Sequence, residues 1–190
     1  MPKIINEDEV FKSVLEVFVT RGYENATTSE MAAAAKIHEA TLFRKYGSKV
    51  GLIKRAIEHQ LSKAPLSKVA YTGDLKADLY AILDAYVATN DEYGEIMPVI
   101  FLEIPRYPEL KNVLQTPMAN IQGIMNIIAR YQSEGLLKTE PPLMSVMVLI
   151  APILFNQIFR HANVDMPSPA IDLHESVDAF LNGRKPGLFP

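Results

Sequence analysis

Apolar side chains recur at helical spacing along almost the whole chain, and the places where the recurrence stops divide it into segments. Val10, Phe11, Val14, Leu15 and Phe18 share one side of a first helix, which Gly22 can end in the left-handed conformation. Thr27 followed by Glu30 is the pattern of a capping box, so a second, short helix is predicted from Thr27 or Thr28 to about Ala35. A third starts near His38, carries Thr41, Leu42 and Tyr46, and breaks at Gly47-Ser48. Ser48 can cap a fourth helix that turns Leu52, Ile53, Ala56, Ile57 and Leu61 inward.

The same periodicity resumes at Asp74 with Leu75, Leu79, Ile82, Leu83 and Tyr86. Pro98, Pro105, Pro108 and Pro117 then break what would otherwise be one long apolar helix into short or kinked pieces. A long helix is predicted after Pro117, through Met118, Ile121, Met125, Ile128 and Tyr131 to Gly135, and Pro141-Pro142 opens another. Leu143 to Phe159 is apolar almost all round, so it must be covered on both sides. A final helix is expected from about Pro169 to Asn182, with Ile171, Val177, Phe180 and Leu181 on one side and Gly183 at its end.

Composition adds the class, and charge adds a seam. The 190 residues are 48% hydrophobic and 22% charged, ordinary for a folded globular protein. There is no cysteine, which excludes a disulfide framework and thiolate chemistry. Acidic residues stand in "MPKIINEDEVFKS" where a signal peptide needs an apolar run, and the longest apolar run, Val146 to Phe155, is half a membrane span and contains Pro152. A soluble, cytoplasmic protein with no membrane partner is the expectation. Residues 1–63 hold 10 Lys and Arg against 8 Asp and Glu, whereas residues 64–190 hold 9 against 14. The sign changes at "KAPLSKVAYTGD", so a domain boundary is expected at 63/64.

Two short helices joined by a three-residue turn can cross steeply only if the residues at the crossing are small. Ala32 and Ala35 meet that condition, with Ile37 and Leu42 at the corner. In a helix-turn-helix the second helix, here His38 to Tyr46, presents its N-terminal half to the major groove of duplex DNA. Glu39, Ala40 and Phe43 would then face base edges, while Thr27 or Thr28, His38 at the groove rim, Thr41, Arg44, Lys45, Tyr46 and Lys49 would flank them toward phosphates. Lys54 and Arg55 complete a basic cluster that an acidic chain has reason to concentrate only opposite a polyanion. Phe43 could equally pack in the core.

The stretch "FVTRGYENATTSEMAAAAKIHEATLFRKYGSKVGL" resembles the signature of the tetracycline-repressor (TetR) family of bacterial one-component regulators. It shares an aromatic-ended first helix, a Gly-Tyr turn, Thr-Thr, a small-residue second helix, Thr-Leu-aromatic and Gly-Ser-Lys. The resemblance covers the first quarter to third of the chain. It implies a homodimer, a palindromic operator, and an all-helical C-terminal domain that binds a small molecule. Three departures stand out: Lys36 where the family usually has glycine in the turn, His38 where serine or threonine often caps the recognition helix, and Glu39-Ala40 for a frequent Lys-Gly pair. An acidic Glu39 is unfavourable beside phosphate but can accept from the cytosine amino group, which argues for an unusual operator.

No catalytic constellation, phosphate loop or metal-ligand spacing is found, and His38, His59, His161 and His174 share no ligand pattern, so no enzyme, metal or cofactor is expected. Glu103, Asn126, Asn156, Gln157 and Arg160 are polar residues set among apolar ones. Six of eight methionines, at 97, 118, 125, 144, 147 and 166, fall beyond the boundary, and methionine adapts to irregular apolar cavities. With the sensor domain that the resemblance implies, a pocket for a small apolar effector is expected among Tyr86, Phe101, Met125, Asn126, Met147 and Phe155. The reading is an all-α chain: a helix-turn-helix DNA-binding domain over residues 1–63, then a helical-bundle ligand-binding and dimerisation domain over 64–190. With the resemblance, a dimeric, ligand-released repressor is the expected function. A transcriptional activator and a helical enzyme acting on an apolar substrate are the alternatives.

Overall fold

The structure, a computed structural model, describes residues 6–161 and 171–184, without the side chains of Arg160 and His161. Those two side chains, Met166 and Pro169, all singled out in the sequence, lie outside the described residues. The described secondary structure is all helical: α1 Glu7–Asn25, α2 Thr28–Ala34, α3 Glu39–Tyr46, α4 Lys49–Leu61, α5 Leu75–Tyr93, α6 Ile96–Glu103, α7 Gln115–Ser133, α8 Pro142–His161 and α9 Leu173–Asn182. Two 3₁₀ segments, Pro65–Lys68 and Pro108–Leu114, join them.

The chain forms two compact units, and they are not divided at a single point. The first comprises residues 1–64 and 93–118, the second 65–92 and 119–190. A boundary at 63/64 alone therefore leaves α6 and the Pro108–Leu114 segment with the wrong neighbours. Ile96, Ile100, Leu110 and Val113 are buried in one core with Phe11, Val14, Phe18, Met31, Leu42 and Ile53. Their apolar spacing fits a helix in either place, so local sequence could not show which core they complete.

In the first unit α1 and α4 run antiparallel. The start of α1 meets the end of α4 where Asp8 bonds His59 at 2.5 Å and Lys63 at 2.7 Å. At the other end Lys49 reaches the carbonyls of Tyr23 and Glu24 at 2.5 and 3.3 Å. Gly22 breaks the helix as its place in the sequence suggests, at φ 71°, ψ 174°, and one further turn follows to Asn25. That backbone conformation is open essentially to glycine alone. Glu103 of α6 uses the break, its carboxylate accepting from the Tyr23 N–H at 3.2 Å.

Pro105 follows the end of α6, and the other prolines between α5 and α8 act at helix starts. Pro98 and Pro117 are the third residues of α6 and α7, and Pro108 and Pro142 open their segments, all positions where no helical N–H is lost. Among the described residues Pro152 alone lies beyond the first turn of a helix, α8. In the second unit α5, α7, α8 and α9 enclose Leu79, Ile82, Leu83, Ile124, Ile128, Tyr131, Leu149, Ile153, Val177 and Phe180. α9 starts at Leu173, capped by Asp172, whose carboxylate accepts from the N–H groups of His174 and Glu175.

Asp78 is buried in this unit, yet fully hydrogen-bonded. It accepts from the Thr72 N–H at 2.8 Å, the Thr72 hydroxyl at 2.5 Å and the Tyr131 hydroxyl at 2.5 Å. Burial alone would raise its pKa, but the Thr72 and Tyr131 bonds outweigh it and hold the carboxyl below its usual range. Burial and the bond to Asp78 both push the Tyr131 phenol up.

Candidate nucleic-acid interface

The second helix is held by both halves of its capping box. The Thr27 hydroxyl oxygen accepts from the Glu30 N–H at 3.2 Å, and the Glu30 carboxylate accepts from the Thr27 N–H at 3.1 Å. Those bonds from the Thr27 backbone and hydroxyl hold the Glu30 carboxyl below its usual range. At the other end of α2 the Lys36 N–H bonds the Ala33 carbonyl and the Ile37 N–H bonds the Ala32 carbonyl, the paired pattern of a Schellman turn. That turn needs a left-handed residue, and Lys36 supplies it at φ 55°. The glycine usual at this position would adopt the conformation without Cβ strain. Ile37 packs against the core, and Met31, Ala32 and Leu42 are buried in it, so the small-residue crossing is in place.

The third helix begins at Glu39, with His38 in the N-cap position but making no side-chain cap bond. Instead the Thr28 hydroxyl donates to the Glu39 carboxylate at 2.5 Å, tying the first residue of α2 to the first of α3. Gly47 ends α3 at φ 75°, and Ser48 caps α4 by accepting from the Gly51 N–H at 3.0 Å. Gly51, which the sequence reading passed over, matters for packing: a Cβ there would stand 2.4 Å from the Tyr46 carbonyl oxygen. Its absence lets α4 start directly against the end of α3. The only sequence signal was a glycine in a helical first turn without a conformational reason.

The expected contact residues fall into three groups. His38, Glu39, Ala40, Phe43, Arg44 and Thr27 are exposed, and Thr41 and Thr28 are half-buried beside them. Phe43 is 61% exposed, so it is a surface side chain and not part of the core. Arg44 has no ion-pair partner among the described residues. Lys45, Tyr46 and Lys49 are instead engaged within the protein. Lys45 pairs with Glu7, which raises the lysine pKa and lowers that of the glutamate. The Tyr46 ring meets Phe11 edge-on at 5.6 Å. Lys49 caps the last carbonyls of α1 and lies 4.4 Å over the Tyr23 ring. Lys54 and Arg55 both pair with Glu58 one turn on.

The residues proposed for a pocket differ in their surroundings. Tyr86 and Met125 pack at the margin of the second core, and Asn126 is exposed, accepting from Gln122 at 2.9 Å. Met147 and Phe155 are 56% and 60% exposed on α8, and Phe101 belongs to the first unit. On α8, Leu143, Met144, Met147, Val148, Leu154, Phe155 and Ile158 form an exposed apolar stripe opposite the buried Val146, Leu149, Ile150 and Ile153. Pro142–Phe159 is as apolar as a membrane span, and only 33% of it is buried.

Residues 12–56, which run from α1 into α4, match the family model described as bacterial regulatory proteins, tetR family. Among curated proteins, the uncharacterized HTH-type transcriptional regulator YvkB of Bacillus subtilis is 24% identical over 131 residues, 68% of this chain and 69% of that one. The HTH-type transcriptional regulator TcmR of Streptomyces glaucescens is 22% identical over 198 residues, covering 95% of this chain and 87% of its own. Among solved structures, the flavonoid-responsive regulator FrrA superposes with a TM-score of 0.66 at 17% identity, over 95% of this chain and 97% of its own. A transcriptional regulator from Rhodococcus sp. Rha1 does so with a TM-score of 0.69 at 15% identity, over 97% and 100%. At these identities the structural likeness is one of fold.

Proposed function

As the chain is a transcriptional regulator of the TetR family, we propose that it binds a palindromic DNA operator as a homodimer, represses transcription, and is released by a small apolar molecule. The observation that carries the DNA-binding part is α3. A short helix held at a fixed crossing by Ala32, Ile37 and Leu42 leaves Glu39, Ala40, Phe43 and Arg44 on the surface. Those side chains suit a major groove, with Glu39, Ala40 and Phe43 toward base edges. Arg44, Thr27, His38 and Thr41 lie at the flanks toward phosphate. Lys45, Tyr46 and Lys49 fix the frame, and each lysine keeps donors for a phosphate oxygen besides the bond it makes inside the protein.

Dimerisation follows from α8. An exposed stripe of seven large apolar residues on a helix whose other face is already buried needs a second surface. A two-fold partner supplies the same stripe in return. The stripe runs along one face only, which suits a second copy better than a surrounding bilayer. The apolar effector rests on the likeness in fold to a regulator described as flavonoid-responsive; the methionines do not add to it, since Met97 and Met118 belong to the first unit.

Mobility shift of the DNA upstream of the chain's own coding sequence tests the proposal. Arg44→Ala should weaken binding to every duplex and lower the salt dependence by about one counterion per subunit. Equal binding to unrelated duplexes would point to a nucleoid-type protein. Addition of an effector should lower operator affinity, and a tenfold loss needs only about 1.4 kcal/mol of differential binding.

A further inference from the structure

The Thr28 to Glu39 bond joins two residues that the DNA reading uses separately. Thr28 is half-buried at the start of α2, Glu39 is exposed at the start of α3, and the hydroxyl donates to one carboxylate oxygen at 2.5 Å. A threonine hydroxyl has a single proton. While that proton is held by Glu39, Thr28 has none to give a phosphate, which only accepts. The carboxylate keeps its second oxygen, an acceptor with no bonded partner among the described residues.

We propose that Thr28 and Glu39 form one reading unit, in which the hydroxyl fixes the carboxylate so that its second oxygen accepts from the N4 amino group of a cytosine at one position of each half-site. This rests on the reading of α3 as the recognition helix. A carboxylate near the phosphates is repelled, so its place on this surface requires a donor on the DNA. In the major groove the donors are the cytosine N4 and adenine N6 amino groups. Adenine sets the N7 acceptor beside its amino group, against the carboxylate, whereas cytosine has no acceptor on the same base edge. Fixing the carboxylate from behind removes the freedom that would let it swing away from the groove.

Selection of duplexes from a random pool, run in parallel with wild type, Thr28→Val, Thr28→Ser and Glu39→Gln, tests the unit. Wild type should require cytosine at one position per half-site. Thr28→Val should lose that preference by about tenfold at this position and no other, the size of one base-pair discrimination. Thr28→Ser, which restores the proton, should retain it. Glu39→Gln should move the preference to adenine, to which an amide can bind through N6 and N7 together. A Thr28→Val variant that weakens all sequences by one factor, or keeps the cytosine preference, overturns the proposal and leaves Thr28 as a strut between helices. If Thr28→Val does not fold, an unchanged preference in Glu39→Gln overturns it alone. Salt-dependent duplex binding without any enriched base at this position refutes the unit but not the DNA-binding reading; no duplex binding at all refutes both.

Discussion

Lys36 and Gly22 are two left-handed positions with opposite fates. Lys36 holds the turn between α2 and α3 at φ 55°, a conformation that costs a residue with a Cβ about 1–2 kcal/mol. Lys36→Gly removes that strain but adds freedom to the unfolded chain, so a net gain of up to about 1 kcal/mol is expected. For a chain of this size that raises Tm by about 2–4 °C in thermal denaturation. Gly22→Ala should act the other way. Its backbone is open essentially to glycine alone, and a Cβ would stand 2.7 Å from the Glu103 carboxylate. A loss of about 1–3 kcal/mol is expected.

Asp78 gives a prediction in pH. Its folded pKa lies below the unfolded value of about 3.9, so its stabilisation is fully present above that value and is lost as pH falls through the folded one. Asp78→Asn should cost about 1–3 kcal/mol at neutral pH by disturbing bonds to Thr72 and Tyr131. The gap in Tm between the two proteins should narrow as pH falls below the unfolded value of about 3.9 and through the lower folded one. A gap independent of pH would show that the charge of Asp78 is not what matters.

At the scale of elements, α8 carries the sharpest prediction. Met147→Lys with Phe155→Lys changes two exposed side chains, so the fold should survive in circular dichroism while sedimentation equilibrium shifts from dimer to monomer at micromolar concentration. An unshifted dimer would place the interface elsewhere. The elements themselves were largely legible, because helices announce themselves locally. The Thr27 and Glu30 box, the Ser48 cap and the glycines at 47 and 135 are signals within a few residues of what they govern. The start of α9 was expected four residues too early, at about Pro169 instead of at Leu173 behind its Asp172 cap. What could not be read is pairing across the chain. Tyr23 meets Glu103 across 80 residues and Asp78 meets Tyr131 across 53, and no periodicity carries such information. The same gap misassigned α6, whose apolar spacing says that it is buried but not against what.

For the molecule as a whole, the proposed function needs α3 of the first unit to read DNA and α8 of the second to pair with its copy. Neither half is sufficient: one α3 reads too few base pairs to single out a site among many, and two copies related by a two-fold axis read the same sequence twice in opposite directions. The effector belongs to this scale as well, since by reciprocity operator DNA must weaken it by the factor with which it weakens operator binding. The most direct test of the central claim is the mass of the complex, measured by sedimentation equilibrium on a duplex obtained by selection from a random pool. The account predicts an inverted repeat occupied by an even number of chains, two per palindrome, with half the palindrome bound at least tenfold more weakly. A single chain bound to an asymmetric site, or full affinity for one half-site, would contradict it.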